Sequence, residues 1–395
     1  MAKQLHIGVL TGRTPYPVGM ASTQRIRLMA RAMAEAGAVV NVWVDGLDGW
    51  TEARNLAPTG EKDSIPYEYL LGKTQASAWK LRRRWDRMAL AWLVRGRLAK
   101  AALGSSLDGL FFFTTVMKPT FERLAVRSPA RKHRLPVVID ICERPWSLKP
   151  KKSLIERRVS PLWGADGVTC ISRFLEDWVR EENIRSGRNV PSLYVPILVD
   201  VNEIKPVESP AVGKTVLFAG APEYDETLRF LAAAMETVWD QHGDCQLVIT
   251  GGATEATLGR IAKGTSGRIR YTGFLERNAL LHEYSASSVL AIPLFDDVRS
   301  QARFPTKLGE YLASGRPVVS NRVGEIPHFL ENGISAYLTA PGDAAAFGKA
   351  IGQLLVDPAS GHAMGRNGRQ VAERHFHYAN YGAKLYEFFL RMAGS

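Results

Sequence analysis

The stretch Phe304-Pro305-Thr306-Lys307-Leu308-Gly309-Glu310-Tyr311-Leu312-Ala313-Ser314-Gly315-Arg316-Pro317-Val318-Val319 reads as a short helix that feeds a buried strand. Pro305 suits the first helical position, where its missing N–H costs nothing. The N–H groups of Thr306, Lys307 and Leu308 then point out of a helix N-terminus, an end that attracts phosphate. Lys307 adds a cation, and Glu310 follows one turn on, at a distance suited to ribose hydroxyls. Gly315 ends the helix. On pattern alone the same residues also fit a capped helix with a solvated lysine and glutamate.

Outward from this stretch, strand and helix patterns alternate along the chain. Leu5 to Leu10, Val39 to Val44, Leu110 to Phe113, Val137 to Ile139 and Val168 to Ile171 are apolar runs separated by helical periodicity. Continuous apolar runs of this kind belong to parallel strands covered on both faces. A helix is expected to start near Ser22, a good N-cap, with Ile26, Met29 and Met33 on one face. Between Val195 and Pro206 the pattern loosens. It then restarts at Val216 to Ala219, Leu247 to Thr250, Ile269 to Thr272, Val289 to Ile292 and Val318 to Val319. The expectation is an α/β chain of two doubly wound, Rossmann-like domains facing a cleft. Residues 1–205 form the first and 206–375 the second, and a C-terminal helix at 376–395 packs back on the first. A nucleotide would sit in the cleft, at the carboxyl ends of strands.

The whole-chain numbers agree with two soluble domains: 395 residues, 46% hydrophobic and 23% charged. No uncharged apolar stretch is long enough to span a bilayer, and Met1 to Leu10 reads as a strand and not a signal peptide. Cys142, Cys170 and Cys245 have no metal-type spacing, and their odd number argues against a disulfide framework. A cytoplasmic protein is expected. Its net charge of +12 favours anionic partners: nucleotides, anionic lipid or nucleic acid.

The stretch at 304–319 resembles the donor-site signature of glycosyltransferase family 4, retaining enzymes of the GT-B fold. Other segments resemble that family in the same order. They are the loop Pro15 to Ser22, the strand Ala165 to Ser172 that ends in serine, Tyr194-Val195-Pro196, Arg268 to Phe274, and the turns at Val323 to Pro327 and Glu331 to Gly333. The resemblance implies a transferase that takes a sugar from a UDP- or GDP-type donor and passes it, with retention, to a glycan or lipid-linked acceptor. The nucleotide sugar is a substrate, and no cofactor or metal is implied. Gly19 would approach the donor diphosphate closely. Backbone near Gly220, Gly273 and Phe274 would hold the donor, Glu310 would accept from the ribose, and Lys307, with Thr306, Leu308 and Arg303, would face the diphosphate. Lys307 would then stabilise the leaving group. Each glycine also fits an ordinary turn. A nucleotide-sugar epimerase or a phosphorylase of the same fold, or a non-catalytic nucleotide-sugar-binding protein, is the alternative. Nucleic acid is not an expected partner.

This sequence departs from the family pattern twice. The family carries a glutamate eight positions before the one matched by Glu310, and here that position is Ala302. The loop after Gly220, Ala221-Pro222-Glu223-Tyr224-Asp225-Glu226, holds no cation before Arg229. Diphosphate charge must be met elsewhere, by Lys307 or by Arg303 and Arg299. On the acceptor side, Glu143 follows a buried strand and could orient an acceptor hydroxyl or pair with Arg144. Arg25, on the first helix, could meet an anionic acceptor or stay solvated.

Two more features remain. Ala78 to Leu103 carries eight basic residues, among them Lys80, Arg82, Arg83, Arg84 and Arg87, against one acid, Asp86. Leu81, Trp85, Met88 and Trp92 share one helical face. This is either a membrane-surface element at the inner face of the cell membrane or a helix that packs its aromatic face on the core. Lys149, Lys151, Lys152, Arg157 and Arg158 would extend the same basic patch. Asp296-Asp297 reads as a solvated loop and Gly251-Gly252 as a turn.

Overall fold

The computed structural model describes residues 4–47, 56–104, 106–114, 123–143, 160–220, 225–252, 254–261 and 267–394. The contacts divide the chain into two units, Met1–Leu198 with Tyr378–Ser395, and Val199–His377. Lys149, Lys151, Lys152, Arg157 and Arg158 fall outside the described residues, as do Arg144 and the segment 221–224.

The first unit holds an eight-stranded sheet. Its strands are β1 (His6–Leu10), β2 (Val39–Val44), β3 (Thr59–Lys62), β4 (Ile65–Tyr69), β5 (Gly109–Thr114), β6 (Val137–Ile141), β7 (Gly167–Cys170) and β8 (Ser192–Tyr194). Their order is β3-β4-β2-β1-β5-β6-β7-β8, and every pairing is parallel except β3 with β4. The central strands β1, β5, β6 and β7 are buried almost throughout, which is why they read as continuous hydrophobic runs. The β3–β4 hairpin escaped the sequence reading. Its two-residue turn places Asp63 and Ser64 at positive φ without a glycine, and Arg27 holds the Asp63 carboxylate.

The second unit has six parallel strands: β9 (Thr215–Gly220), β10 (Gln246–Gly251), β11 (Ile269–Gly273), β12 (Val289–Ile292), β13 (Val318–Asn321) and β14 (Tyr337–Thr339). Their order is β11-β10-β9-β12-β13-β14. Helices Asp225–Gln241 and Ala344–Val356 pack together on one face, with Leu231, Met235, Phe347 and Ile351 in the core. The C-terminal helix Gly382–Ala393 belongs to the first unit, where Phe388 and Phe389 join the core beside helix Ala21–Glu35.

The first helix corrects two expectations. It begins at Ala21 with extended Met20 before it, so Ser22 lies inside the first turn and is not the N-cap. Arg25 is neither solvated nor open to an acceptor. It is buried, with Nε and Nη2 donating to the Asp140 carboxylate at 2.7 and 2.9 Å. Its remaining donors reach the carbonyls of Pro196 and Val195, at 2.7 and 3.0 Å. Burial opposes the charge on this guanidinium, and Asp140 more than offsets that, so its pKa is raised. The Thr169 hydroxyl donates to the same carboxylate at 2.6 Å. The pair therefore ties the first helix to β6, β7 and the chain leaving β8.

Arg25→Ala leaves Asp140 charged and uncompensated in the core. It should destabilise the protein by about 3–5 kcal/mol, the cost of breaking a buried ion pair from one side. Urea unfolding of the two proteins measures it, and a loss below about 1 kcal/mol would show the residue to be solvated after all.

Candidate functional site

All six strands of the second sheet are parallel, so their carboxyl ends form one edge. The order reverses between β9 and β12, and the connections leaving these two strands diverge. Ligands of doubly wound sheets bind at that point.

Several groups converge there. β10 accompanies β9 as far as Gly220, whereas β12 pairs only with Val216 and Leu217. The last residues of β9 thus have no strand on the β12 side. Tyr311 of helix Lys307–Ala313 fills the gap, and its phenolic oxygen accepts the Ala219 N–H at 2.9 Å. Gly251 crosses close by at φ 100°. A Cβ there would lie 1.9 Å from the Gly220 carbonyl oxygen, so only glycine fits. Gly251 therefore closes a strand, where the sequence suggested a turn.

Lys307, the first residue of that helix, sets its ammonium 5.0 Å from the centroid of the Phe218 ring on β9. Glu310, one turn on, is bonded to Arg277 and accepts from the Tyr284 hydroxyl at 3.2 Å. Arg277 opens the helix after β11 and also lies 4.0 Å from Glu203. Burial works against the charge on Arg277, but Glu310 outweighs it and raises the pKa. Burial first, and Glu310 second, push the Tyr284 phenol well up, so it stays a donor. The helix thus presents a cation toward the end of β9, next to a carboxylate held in place by two donors.

The other expected residues fall around this edge or inside the fold. Gly273 ends β11 at φ 69°, and its carbonyl accepts from the Thr250 hydroxyl at 3.1 Å. Phe274 beyond it is exposed. Arg303 and Thr306 are half-buried, and the Leu308 side chain is fully buried. The helix begins at Lys307, two residues beyond Pro305, and the Leu308 N–H is taken by the Pro305 carbonyl at 2.9 Å in the turn that leads into it. Of the three N–H groups expected to point outward, Leu308's is therefore engaged. Ala302 is buried at the end of the short helix Val298–Ala302. Asp297 caps that helix through Ser300 N–H at 2.6 Å, and Asp296 accepts from the Gln301 side chain at 2.8 Å. Both aspartates are exposed in the loop before that helix, as the sequence suggested, and their carboxylates are engaged there.

In the first unit, the turn before helix Ala21–Glu35 explains Gly19 internally. A Cβ there would lie 2.2 Å from Thr23 Oγ1, which itself donates to the Pro15 carbonyl. Glu143 sits half-buried just past β6. Sequence reasoning missed a cavity of about 430 Å³ at the carboxyl ends of β1 and β2, walled by Arg13, Asp45, Lys80, Arg83, Asp86 and Arg87. Both acids are engaged: Asp45 accepts from Arg13 N–H at 2.8 Å, and Asp86 pairs with Lys73 at 2.8 Å. Arg277, Tyr284 and Tyr311 were missed as well. The Arg277–Glu310 pair joins two helices far apart in sequence and leaves no local pattern.

With this geometry in place, comparison with known proteins fixes the class of fold. Sucrose-phosphate synthase from Thermosynechococcus elongatus superposes with a TM-score of 0.74 at 18% identity, over 99% of this chain and 100% of that one. The Anabaena protein HepE, in complex with UDP-glucose, superposes at 0.69 and 16% identity, over 98% and 100%. The fold is that of the GT-B glycosyltransferases, two parallel-sheet, Rossmann-like domains. Within the chain, residues 213–357, most of the second unit, match the family model described as Glycosyl transferases group 1. The D-inositol 3-phosphate glycosyltransferase of Corynebacterium glutamicum (strain R) is 29% identical over 181 residues, 44% of this chain and 42% of that protein. The matched stretch is thus less than half of that relative's length.

Tyr311→Phe removes the acceptor for the buried Ala219 N–H while keeping the ring. It should destabilise the protein by about 1–3 kcal/mol, the cost of an orphaned buried donor. Thermal melting reads the loss. An unchanged melting temperature would mean that Tyr311 does not hold the end of β9.

Proposed function

We propose that the protein is a glycosyltransferase that moves a sugar from a nucleoside diphosphate donor, of UDP or GDP type, to a glycan or lipid-linked acceptor, with retention at the sugar. The observation that carries this reading is the pairing of Lys307 and Glu310 on one helix at the switch point of the second sheet, with Lys307 over Phe218 and Glu310 held by Arg277 and Tyr284. The match of residues 213–357 to a glycosyltransferase family model supports it, as does the UDP-glucose bound to a protein of the same fold.

In this reading the diphosphate lies toward Lys307, and the backbone at Gly220 and Gly273 borders the nucleoside. Glu310 keeps unused acceptor capacity, since each carboxylate oxygen offers two lone pairs. Arg277 and Tyr284 fix its orientation, so it accepts from a ribose hydroxyl without first being ordered. As the sugar leaves, negative charge grows on the diphosphate, and an ammonium fixed beside it stabilises that charge more than the ground state. The leaving diphosphate helps take the acceptor proton on the face it departs from, which gives retention. The acceptor enters through the first unit, whose cavity walled by Arg13, Lys80, Arg83 and Arg87 suits an anionic group, and Glu143 orients its hydroxyl.

Lys307 and Glu310 should separate in kinetics. Glu310→Ala should weaken nucleotide binding itself by about 1.5–3 kcal/mol, as for a hydrogen bond to a charged group. Lys307→Ala should lower kcat more than donor affinity. Calorimetry with nucleoside diphosphates, beside steady-state rates with a panel of nucleotide sugars, checks both. If both variants bind and turn over like the parent, the helix is not the donor site.

Turnover should also survive EDTA, because Lys307 carries the charge compensation, Asp297 caps a helix and Asp296 accepts from the Gln301 side chain. Loss in EDTA with recovery on adding manganese or magnesium would overturn that part of the reading.

A further inference from the structure

Helix Lys80–Leu103 has two apolar faces. Leu90, Val94, Leu98 and Ala101 recur at helical spacing and are buried against the first unit. Leu81, Trp85, Met88 and Trp92 recur in the same way on the opposite side, at 73%, 65%, 52% and 73% exposure. The sequence left open whether the tryptophan face packs on the core. It does not, because another stripe of the same helix fills that role. Trp79, just before the helix, is exposed as well.

We infer that the face formed by Leu81, Trp85, Met88 and Trp92 docks on an anionic membrane surface. The charge around it selects the occupant. On the helical wheel Arg84 flanks this stripe on one side and Arg82 and Lys100 on the other, all exposed. The helix's single acid, Asp86, points the other way, into the ion pair with Lys73. An apolar stripe between cations matches a bilayer interface, where tryptophan sits at the headgroup level and arginine meets lipid phosphate. A second copy of this face would instead bring the arginine rims together, like charge against like. Among the described residues no helix is long and apolar enough to cross a membrane, so the element lies on the surface and does not span it. The same helix turns Lys80, Arg83 and Arg87 inward to wall the basic cavity, so lipid contact and that cavity occupy opposite sides of one element.

The test is co-sedimentation of the full chain with vesicles of phosphatidylcholine alone and of phosphatidylcholine with phosphatidylglycerol. The protein should pellet with the anionic vesicles, and raised salt should release it. Trp85→Ser with Trp92→Ser should weaken binding by about tenfold or more, through lost apolar burial. Arg82→Glu with Arg84→Glu should abolish the preference for anionic lipid. Neither pair touches the core or the cavity, and circular dichroism verifies folding of each; should one pair fail to fold, the other decides. The inference is overturned if the parent stays in the supernatant with anionic vesicles or if a folded variant pellets like the parent. It is also overturned if sedimentation velocity shows a tryptophan-dependent dimer that ignores vesicles.

Discussion

The hydrogen bond from the Ala219 N–H to the Tyr311 phenol is the contact on which the second unit's site depends. A doubly wound sheet opens where its strand order reverses, and the strands there lose pairing partners. β9 loses β12 beyond Leu217, so its last backbone groups would face an open crevice. Tyr311 meets one of them from a helix that is itself short. That contact joins helix Lys307–Ala313 to the sheet, and the same helix carries Lys307 over Phe218 and Glu310 beside Arg277. The glycine crossing at Gly220 and Gly251 keeps side chains away from the same edge. The result is an edge where two glycines cross, with a cation and a carboxylate beside it, and the proposed donor site rests on that arrangement.

Much of this was legible in the sequence. The parallel strands bury both faces, so β1, β2, β5, β6, β9, β10 and β12 stood out as apolar runs. The stretch at 304–319 gave the short helix and β13. What stayed hidden has common physical causes. β3 and β4 are short, and their turn uses Asp63 and Ser64 where a glycine would have marked it. Arg25 looked like any helical arginine until the fold supplied Asp140, far along the chain. Arg277 is placed by the end of β11 and gains its partner from another helix, so no spacing rule reveals it. The basic cavity joins the ends of two strands to the side of a helix.

The arginine-rich helix shows how composition alone can mislead. Read as one amphipathic element, Lys80–Leu103 has too many apolar residues for a single stripe. The structure resolves this into opposite faces, one buried and one exposed, with the cations divided between cavity and rim. Arg82, Arg83 and Arg84 are neighbours in sequence but belong to different surfaces, so substituting all three together would mix two roles.

Hydrogen–deuterium exchange of the full chain, with and without saturating UDP or GDP, tests the central claim most directly. If the nucleotide binds at the carboxyl edge of the second sheet, exchange should slow in peptides covering 215–220, 269–277 and 307–313, with helix 225–241 unchanged. Protection confined to the first unit, or no protection at 307–313 under saturating nucleotide, would contradict the account.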